Sequence, residues 1–385
     1  MKIQIVGGYT TKFGELWDKS PKELACEAVD GALKQADLEI KDINALYVGN
    51  MLSGILGGQE HLGAFAETVL QKNIPAFKIE GACASGGLAI HNATLAILSG
   101  VYSRVLVLGM EKMTDFKPEE IATALMGAGT DEERQAGATF PGLYALMARA
   151  YMEKYGLTER QMANVSVKNH YHASLNEKAQ FRNPITVEQV MKSSYIARPL
   201  KLLDCSPVSD GAAAVILEGI SGNERPKGKN RVMIEASVVA TDSLGIAGRK
   251  TLTAIPAAKE AAQKAYKIAG IIPKDVDVCE VHDCFSIAEI MAMEDLGFYT
   301  EGTAVKHIMN GETKLSGKGP IVNTSGGLKG AGHPVGATGV KQMVEIFEQL
   351  SERGGKRQVK GAKIGLCHNV GGSGATAVMH ILKKY

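Results

Sequence analysis

Cys83 stands in the segment Gly81-Ala82-Cys83-Ala84-Ser85-Gly86-Gly87, between a strand-like stretch at 76–80 and an apolar helical pattern running to about Leu98. Small neighbours allow a sharp turn from strand to helix. A thiol at a helix start is favoured as the thiolate by the unpaired backbone N–H groups there. The pattern is that of a nucleophile elbow with a lowered thiol pKa. A buried structural cysteine in a tight turn is the competing reading of this motif alone.

A second segment, Gly330-Ala331-Gly332-His333-Pro334-Val335-Gly336-Ala337-Thr338-Gly339, holds His333 in a rigid, glycine-walled turn that introduces the last long helix. A histidine beside a thiol can take its proton and later polarise an acyl oxygen. A phosphate-cradling loop is disfavoured, because neither the Lys-Ser/Thr ending of a P-loop nor Gly-x-Gly-x-x-Gly spacing is present. His282-Asp283-Cys284-Phe285 follows an apolar strand at 276–281, at the carboxyl edge of a sheet, where two titratable groups suggest an active site. Zinc is the alternative there, with His282, Cys284 and Cys279 as ligands, but a fourth ligand at familiar spacing is missing and no metal is expected. Cys367-His368-Asn369, near the end of another strand, adds polar groups beside glycines. Adjacent strand residues face opposite ways, so only one of Cys367 and His368 can easily point into the site.

The elements that position these groups emerge from an internal duplication. Ala25-Cys26-Glu27-Ala28-Val29 opens a helical pattern through Ala36, and 41–48 reads as a turn and a buried strand. The helical pattern at 258–269 and the segment 274–281 repeat this, Asp275 lying 233 positions after Asp42. Ser85-Gly86-Gly87 before one helix is matched by Ser325-Gly326-Gly327 before another, 240 positions on, and His333 occupies the place of Cys83 in its own half. Each half ends in paired apolar strands, 104–109 with 212–217 and 364–366 with 375–381, the second pair joined by a hairpin-like stretch at 369–374. Two such halves packed back to back bring His333 toward Cys83.

Between Met113 and about Asp204 lies an insertion with helical stretches at 144–155 and 159–173 and a basic stretch through Arg182, Lys192, Arg198 and Lys201. On the rim of a sheet it suits ligand binding, with a lid or an oligomerisation arm as the alternative. Apolar strands alternating with helices predict βαβ units with largely parallel sheets covered on both faces. The expected division is 1–112 plus 205–225 for the first half, 113–204 for the inserted loop domain and 226–385 for the second half.

At 385 residues the chain exceeds a single hydrophobic core, and 45% apolar with 22% charged residues fits a compact α/β enzyme. A formal charge of +2 without a long Lys/Arg run disfavours nucleic acid as a partner. The N-terminal apolar run is too short for a signal peptide and no stretch of about eighteen apolar residues suggests a membrane span, so a cytoplasmic enzyme without a membrane partner is expected. The six cysteines include no Cys-x-x-Cys pair, so neither a disulfide framework nor a zinc ribbon is signalled.

Taken together, these segments resemble the thiolase family nearly end to end. Gly332 to Gly339, the Cys83 turn, Asp210-Gly211-Ala212-Ala213-Ala214 and Gly109-Met110-Glu111-Lys112-Met113 all fall in thiolase order. One branch of that family carries Asn-Glu-Ala-Phe where this chain has His282-Asp283-Cys284-Phe285, which is similar to the sterol-carrier-type and archaeal branch. The resemblance implies an α/β fold of two similar βαβ-based halves in a five-layered αβαβα sandwich with an inserted loop domain. It implies an acetyl-CoA C-acetyltransferase of lipid metabolism, joining two acetyl-CoA reversibly through an acyl-cysteine. A thiolase for longer or aromatic 3-ketoacyl-CoA, a decarboxylating ketosynthase or hydroxymethylglutaryl-CoA synthase, and a non-catalytic acyl-CoA-binding scaffold are the alternatives.

By the same resemblance Cys83 is the acylated nucleophile, and His333 is its base and a donor to the thioester oxygen. His282 stands in a first oxyanion hole, and the Cys83 N–H contributes to a second. Members of the other branch carry a second cysteine in a Cys-x-Gly turn; counting back from Gly371-Gly372-Ser373-Gly374 places His368 there, with Cys367 adjacent. In the His-containing branch Cys284 takes the acid/base role, leaving His368 as a further catalytic or oxyanion-hole candidate. Ser206 matches a position near the coenzyme A pantetheine arm, and 127–142 is expected to shape the acyl pocket. Coenzyme A, acetyl-CoA and acetoacetyl-CoA are then substrates, with no separate cofactor. A homodimer or homotetramer and a small zinc-ribbon/OB-fold partner protein complete the expectation.

Overall fold

The computed structural model describes residues 1–221 and 231–385, so the expected boundary at 225/226 lies outside the described residues. Strand β1 (Lys2–Thr10) leads to helix α1 (Pro21–Ala36), whose start is fixed by a capping box between Ser20 and Glu23 with proline in the first turn. Then come β2 (Ala45–Gly49), α2 (Leu62–Leu70), β3 (Ala76–Ile79), α3 (Ser85–Leu98) and β4 (Arg104–Glu111). The inserted segment carries α4 (Pro118–Leu125), α5 (Asp131–Gln135), α6 (Phe140–Tyr155), α7 (Glu159–Ser174), α8 (Val187–Lys192) and the two-stranded β5 (Tyr195–Ala197) and β6 (Leu200–Lys201). Strand β7 (Gly211–Ile220) closes the first half. The second runs β8 (Val232–Thr241), α9 (Pro256–Ala269), β9 (Val278–Glu280), α10 (Ser286–Asp295), α11 (Ala304–Met309), β10 (Ile321–Val322), α12 (Gly327–Ala331), α13 (Val335–Leu350), β11 (Ile364–Gly371) and β12 (Thr376–Lys384).

Ten strands line up as β10-β9-β11-β12-β8-β1-β7-β4-β2-β3. Read outward from the centre, each half presents its own first, fifth, fourth, second and third strand, which is the duplication seen in topology. The halves join where Ile3 of β1 pairs with Ile234 of β8. The sheets are mixed, not largely parallel as expected. Strands β2, β3 and β4 pair in parallel, as do β9, β10 and β11, whereas β7 and β12 run antiparallel to both neighbours. In the second half the cause is plain: β11 and β12 are joined by residues 372–375, far too few for a parallel crossover.

Strand alternation sorts the side chains into layers. Leu106 and Leu108 of β4 pack with Leu24, Ala28 and Ala32 of α1, while Val105 and Val107 face Ala89, Ile90, Val340 and Met343 of α3 and α13. On the second half α9 and α10 cover the outer face and the same α3 and α13 the inner one. The result is helix, sheet, helix, sheet, helix.

The two central helices touch backbone to backbone. A Cβ on Gly339 would lie 2.2 Å from Gly87 N, and one on Gly86 2.8 Å from Gly336 O. Because α3 starts at Ser85 and α13 at Val335, the repeat is in register at 250 positions here. The match of Ser85 with Ser325 is thereby corrected: Ser325-Gly326-Gly327 introduces the short α12 instead.

Buried carboxylates pin the segments that meet at this contact. Glu111 accepts from Met51 N, Leu52 N and Gly336 N, and Asp210 from Met113 N, Thr114 N and Lys112. The insert is no detached arm. Tyr144, Met147, Met162 and Val165 share a core with Ile287, Ile290 and Met291, and the fully buried Lys168 pairs with Glu289 at 2.8 Å.

Candidate active site

Cys83 lies in a short helical turn at 82–84 that runs into α3. Ala82 before it has φ 54°, a left-handed conformation that costs a residue with a Cβ about 1–2 kcal/mol. Three hydrogen bonds hold the bend: Ala82 N to Glu80 Oε1 at 2.5 Å, Ser85 Oγ to Ala82 O at 2.6 Å, and Gly81 N to Ser85 Oγ at 3.0 Å. This is the strained elbow expected from the run of small residues.

The expected fall in the Cys83 pKa is not found. Burial pushes the thiol up to about 12, outweighing the backbone N–H groups of Gly372 and Cys83 itself, and Glu111 and Glu80 act in the same direction as burial. Helix-start donors are also consumed elsewhere, Gly87 N donating to Asn369 Oδ1 at 3.1 Å.

Around this thiol the structure gathers His282, His333 and Cys284. Cys83, His282 and His333 each offer a ligand atom within 4.8 Å of the others, spacing that also suits a metal ion; Cys279, weighed as a ligand, is not among them. The four groups line one cavity of about 220 Å³, together with Met113, Ile121, Leu125, Phe140, Tyr144, Ser206 and Val335. The expected loop at 127–142 reaches this cavity through Thr139, Phe140 and Pro141, and it contains α5 and the start of α6.

Hydrogen bonds assign the tautomers of both histidines. Thr338 Oγ1 donates to Pro334 O at 2.9 Å, so it accepts from His333 Nδ1–H at 2.7 Å and leaves the His333 Nε2 lone pair free. Asn369 is oriented by Gly87 N on its Oδ1; its Nδ2 donates to Cys83 O at 3.0 Å and to His282 Nδ1 at 3.2 Å. His282 therefore carries its proton on Nε2. One imidazole is a base and the other a donor. Burial keeps both neutral, His333 falling to about 3 and His282 well below its ordinary value, where His333, His368 and Lys341 add to the effect.

Cys284 is held through its backbone, Ser206 N donating to Cys284 O at 2.9 Å, and Ser206 stands in the cavity wall. His368 lies outside the cavity lining. On β11 it faces opposite to Asn369, its Nδ1 accepting from His282 N at 3.5 Å. Cys367 shares the face of Asn369 but packs in the core with Val340 and Met343 and does not line the cavity. The glycine whose N–H faces Cys83 is Gly372, and Val370, two residues before it, packs in the same core as Cys284.

Two residues went unread in the sequence. Asn369 was detectable through the alternation of Cys367, His368 and Asn369. Tyr144, from α6, gave no signal beyond its place in a helix.

The sequence matches the family model "Thiolase, N-terminal domain" over residues 3–219 and "Thiolase C-terminal domain-like" over 239–384. The chain belongs to the thiolase family and is an acyltransferase. It is 47% identical to the "Acetyl-CoA acetyltransferase" of Methanocaldococcus jannaschii over 90% of this chain and 89% of that one. It is 32% identical to the "Benzoylsuccinyl-CoA thiolase subunit BbsB" of Thauera aromatica over 91% and 89% of the two chains. The solved "Ltp2-ChsH2(DUF35) aldolase" shares its fold with a TM-score of 0.84, at 23% identity over 98% of this chain and 97% of that one.

Proposed function

We propose that this chain is an acetyl-CoA C-acetyltransferase that joins two acetyl-CoA into acetoacetyl-CoA and coenzyme A, reversibly, through an acetyl group held on Cys83. The observation carrying this reading is the convergence of Cys83, His282 and His333 within 4.8 Å in the wall of one cavity that Cys284 also lines. The 47% identity to an acetyl-CoA acetyltransferase supports it.

The resting site is neutral, and the chemistry follows from that. Cys83 sulfur attacks the first thioester as its proton passes to His333 Nε2. The departing coenzyme A sulfur takes the proton of Cys284, leaving a thiolate there and an imidazolium at His333. Cys284 then removes a methyl proton from a second acetyl-CoA, and the enolate carbon attacks the acyl carbon on Cys83. The C–S bond breaks, and Cys83 recovers its proton from His333. His282 Nε2–H stabilises the enolate oxygen, and the N–H groups of Cys83 and Gly372 the tetrahedral oxyanion, each donor contributing about 3–4 kcal/mol. Ser206 would line the pantetheine arm.

A thiolase for longer or aromatic 3-ketoacyl-CoA is the second reading, favoured by the benzoylsuccinyl-CoA relative. Cavity size argues against it. About 220 Å³ is below the roughly 300–1,000 Å³ of typical small-molecule pockets and favours a small acyl group. The four polar groups converging on one cavity count against a non-catalytic scaffold.

Among the described residues no helix is long and apolar enough to cross a membrane. A cytoplasmic homodimer or homotetramer acting in lipid metabolism, using no cofactor beyond its substrates, belongs to the proposal. So does a small partner protein, supported by the two-component name of the solved relative. The test is coenzyme A-dependent cleavage of acetoacetyl-CoA by the purified protein beside a longer and an aromatic 3-ketoacyl-CoA. Turnover fastest on acetoacetyl-CoA is expected; preference for the aromatic substrate would transfer the assignment to the second reading.

A further inference from the structure

Tyr144 connects the two cysteines. Its side chain is 1% exposed, its ring packs on Phe285 with centroids 4.7 Å apart, and it lines the cavity beside Cys83 and Cys284. Its hydroxyl donates to Gly372 O at 3.3 Å, and the Cys284 thiol lies within hydrogen-bonding reach of the Tyr144 hydroxyl itself. Gly372 is also the residue whose N–H faces Cys83. One phenol thus touches the peptide that serves the nucleophile and the sulfur that serves as second base.

The Cys284 thiolate needs such a partner. Burial raises this thiol above its ordinary value and neighbouring Cys83 adds to the rise; the Tyr144 hydroxyl and the Phe285 N–H oppose them. A phenylalanine would fill the same space against Phe285, so packing alone does not account for the oxygen.

Taking the function above as given, we propose that Tyr144 is a positioning residue for Cys284, its hydroxyl turning from the Gly372 carbonyl to the Cys284 sulfur whenever that sulfur is an anion. In the resting site the hydroxyl hydrogen points to Gly372 O and a lone pair faces the S–H of Cys284. Once the departing coenzyme A sulfur has taken the Cys284 proton, rotation about the phenol C–O bond aims the Tyr144 hydrogen at the thiolate. When Cys284 takes up the methyl proton, the hydroxyl turns back. Tyr144 loses no proton in the cycle, since burial holds its phenol well above the ordinary range.

The experiment compares Tyr144→Phe with the wild-type full chain in two partial reactions. Exchange of labelled coenzyme A into acetyl-CoA reports acylation of Cys83, and exchange of acetyl-CoA methyl protons with deuterated water reports proton abstraction by Cys284. Because His333 can also return a proton to the departing sulfur, label exchange in Tyr144→Phe is expected within about fivefold of wild type, with a loss of roughly 10- to 100-fold in methyl exchange and condensation and a condensation pH profile shifted upward. Equal losses in both reactions, or none in either, would overturn the proposal. Incorporation of 3-chlorotyrosine at 144, a stronger donor of nearly the same shape, is expected to shift the profile downward, and an unshifted profile counts against the proposal even where Tyr144→Phe fails to fold. Wild-type protein without label exchange or condensation would instead remove the proposed function.

Discussion

His282 and His333 meet edge to face, ring centroids 5.0 Å apart and planes at 82°, with their Nδ1 atoms tied in opposite senses. Thr338 accepts from one and Asn369 donates to the other, so a single site holds a free imidazole lone pair and a free imidazole N–H. Proton transfer and oxyanion stabilisation are thereby assigned to different rings.

Asn369→Asp should reverse the second assignment. A carboxylate accepts from Nδ1–H, moving the His282 proton away from the cavity, and kcat for condensation is expected to fall roughly 100- to 1,000-fold. Nitrogen-15 shifts of His282 are expected to report Nε2–H in the wild type and Nδ1–H in the variant. An unchanged tautomer with full activity would remove the orienting role of Asn369.

Alkylation of Cys83 by iodoacetamide should quicken continuously between about pH 7 and 10. The thiol is held up at about 12, so the thiolate fraction rises about tenfold per pH unit throughout that window. Peptide mass spectrometry can follow the site. A plateau near pH 7 would mean that a thiolate–imidazolium pair exists at rest.

Arg357 bridges Glu345 at 2.8 Å and Glu348 at 3.3 Å. Burial alone would raise Glu345, but the guanidinium overcomes it and holds the carboxyl at about 2 against an ordinary 4.5. A lowered carboxyl pKa stabilises the fold above the unfolded value and loses that stabilisation as pH falls from 4.5 toward 2. Arg357→Ala is expected to cost about 3 kcal/mol near neutrality. Denaturant midpoints should show the deficit shrinking across that acid window, and a constant deficit would contradict the pairing.

The contact of α3 with α13 leaves no room at Gly339, where a Cβ would lie 2.2 Å from Gly87 N. Gly339→Ala should cost about 3 kcal/mol in chemical denaturation and slow acylation by shifting His333 relative to Cys83. Wild-type stability and acylation together would show that the helices can separate freely.

Much of the layout was legible because duplication writes itself into periodicity. Cys83 and His333 each stand two residues before a central helix, and no contact information was needed to pair them. Strand direction was not legible, because β4 and β7 carry the same apolar pattern whichever way they run. The thiol pKa was misjudged because Cys83 shows its helix start in the sequence but not its burial. Asn369 and Tyr144 reach the site from β11 and the insert, so only folding brings them to Cys83 and Cys284. His368 was placed by counting back from a glycine run, and such a count does not show which face of β11 meets the cavity; His368 faces opposite to Asn369 and is outside the lining.

The division of labour between the two cysteines is tested most directly by incubating Cys284→Ala with acetyl-CoA and measuring both acetylation of Cys83 by peptide mass spectrometry and acetoacetyl-CoA formation. His333 can still return a proton to the departing sulfur, so Cys83 should become acetylated while condensation falls by at least about 100-fold. Condensation at the wild-type rate, or a Cys83 that never carries acetyl, would contradict the assignment of nucleophile and base.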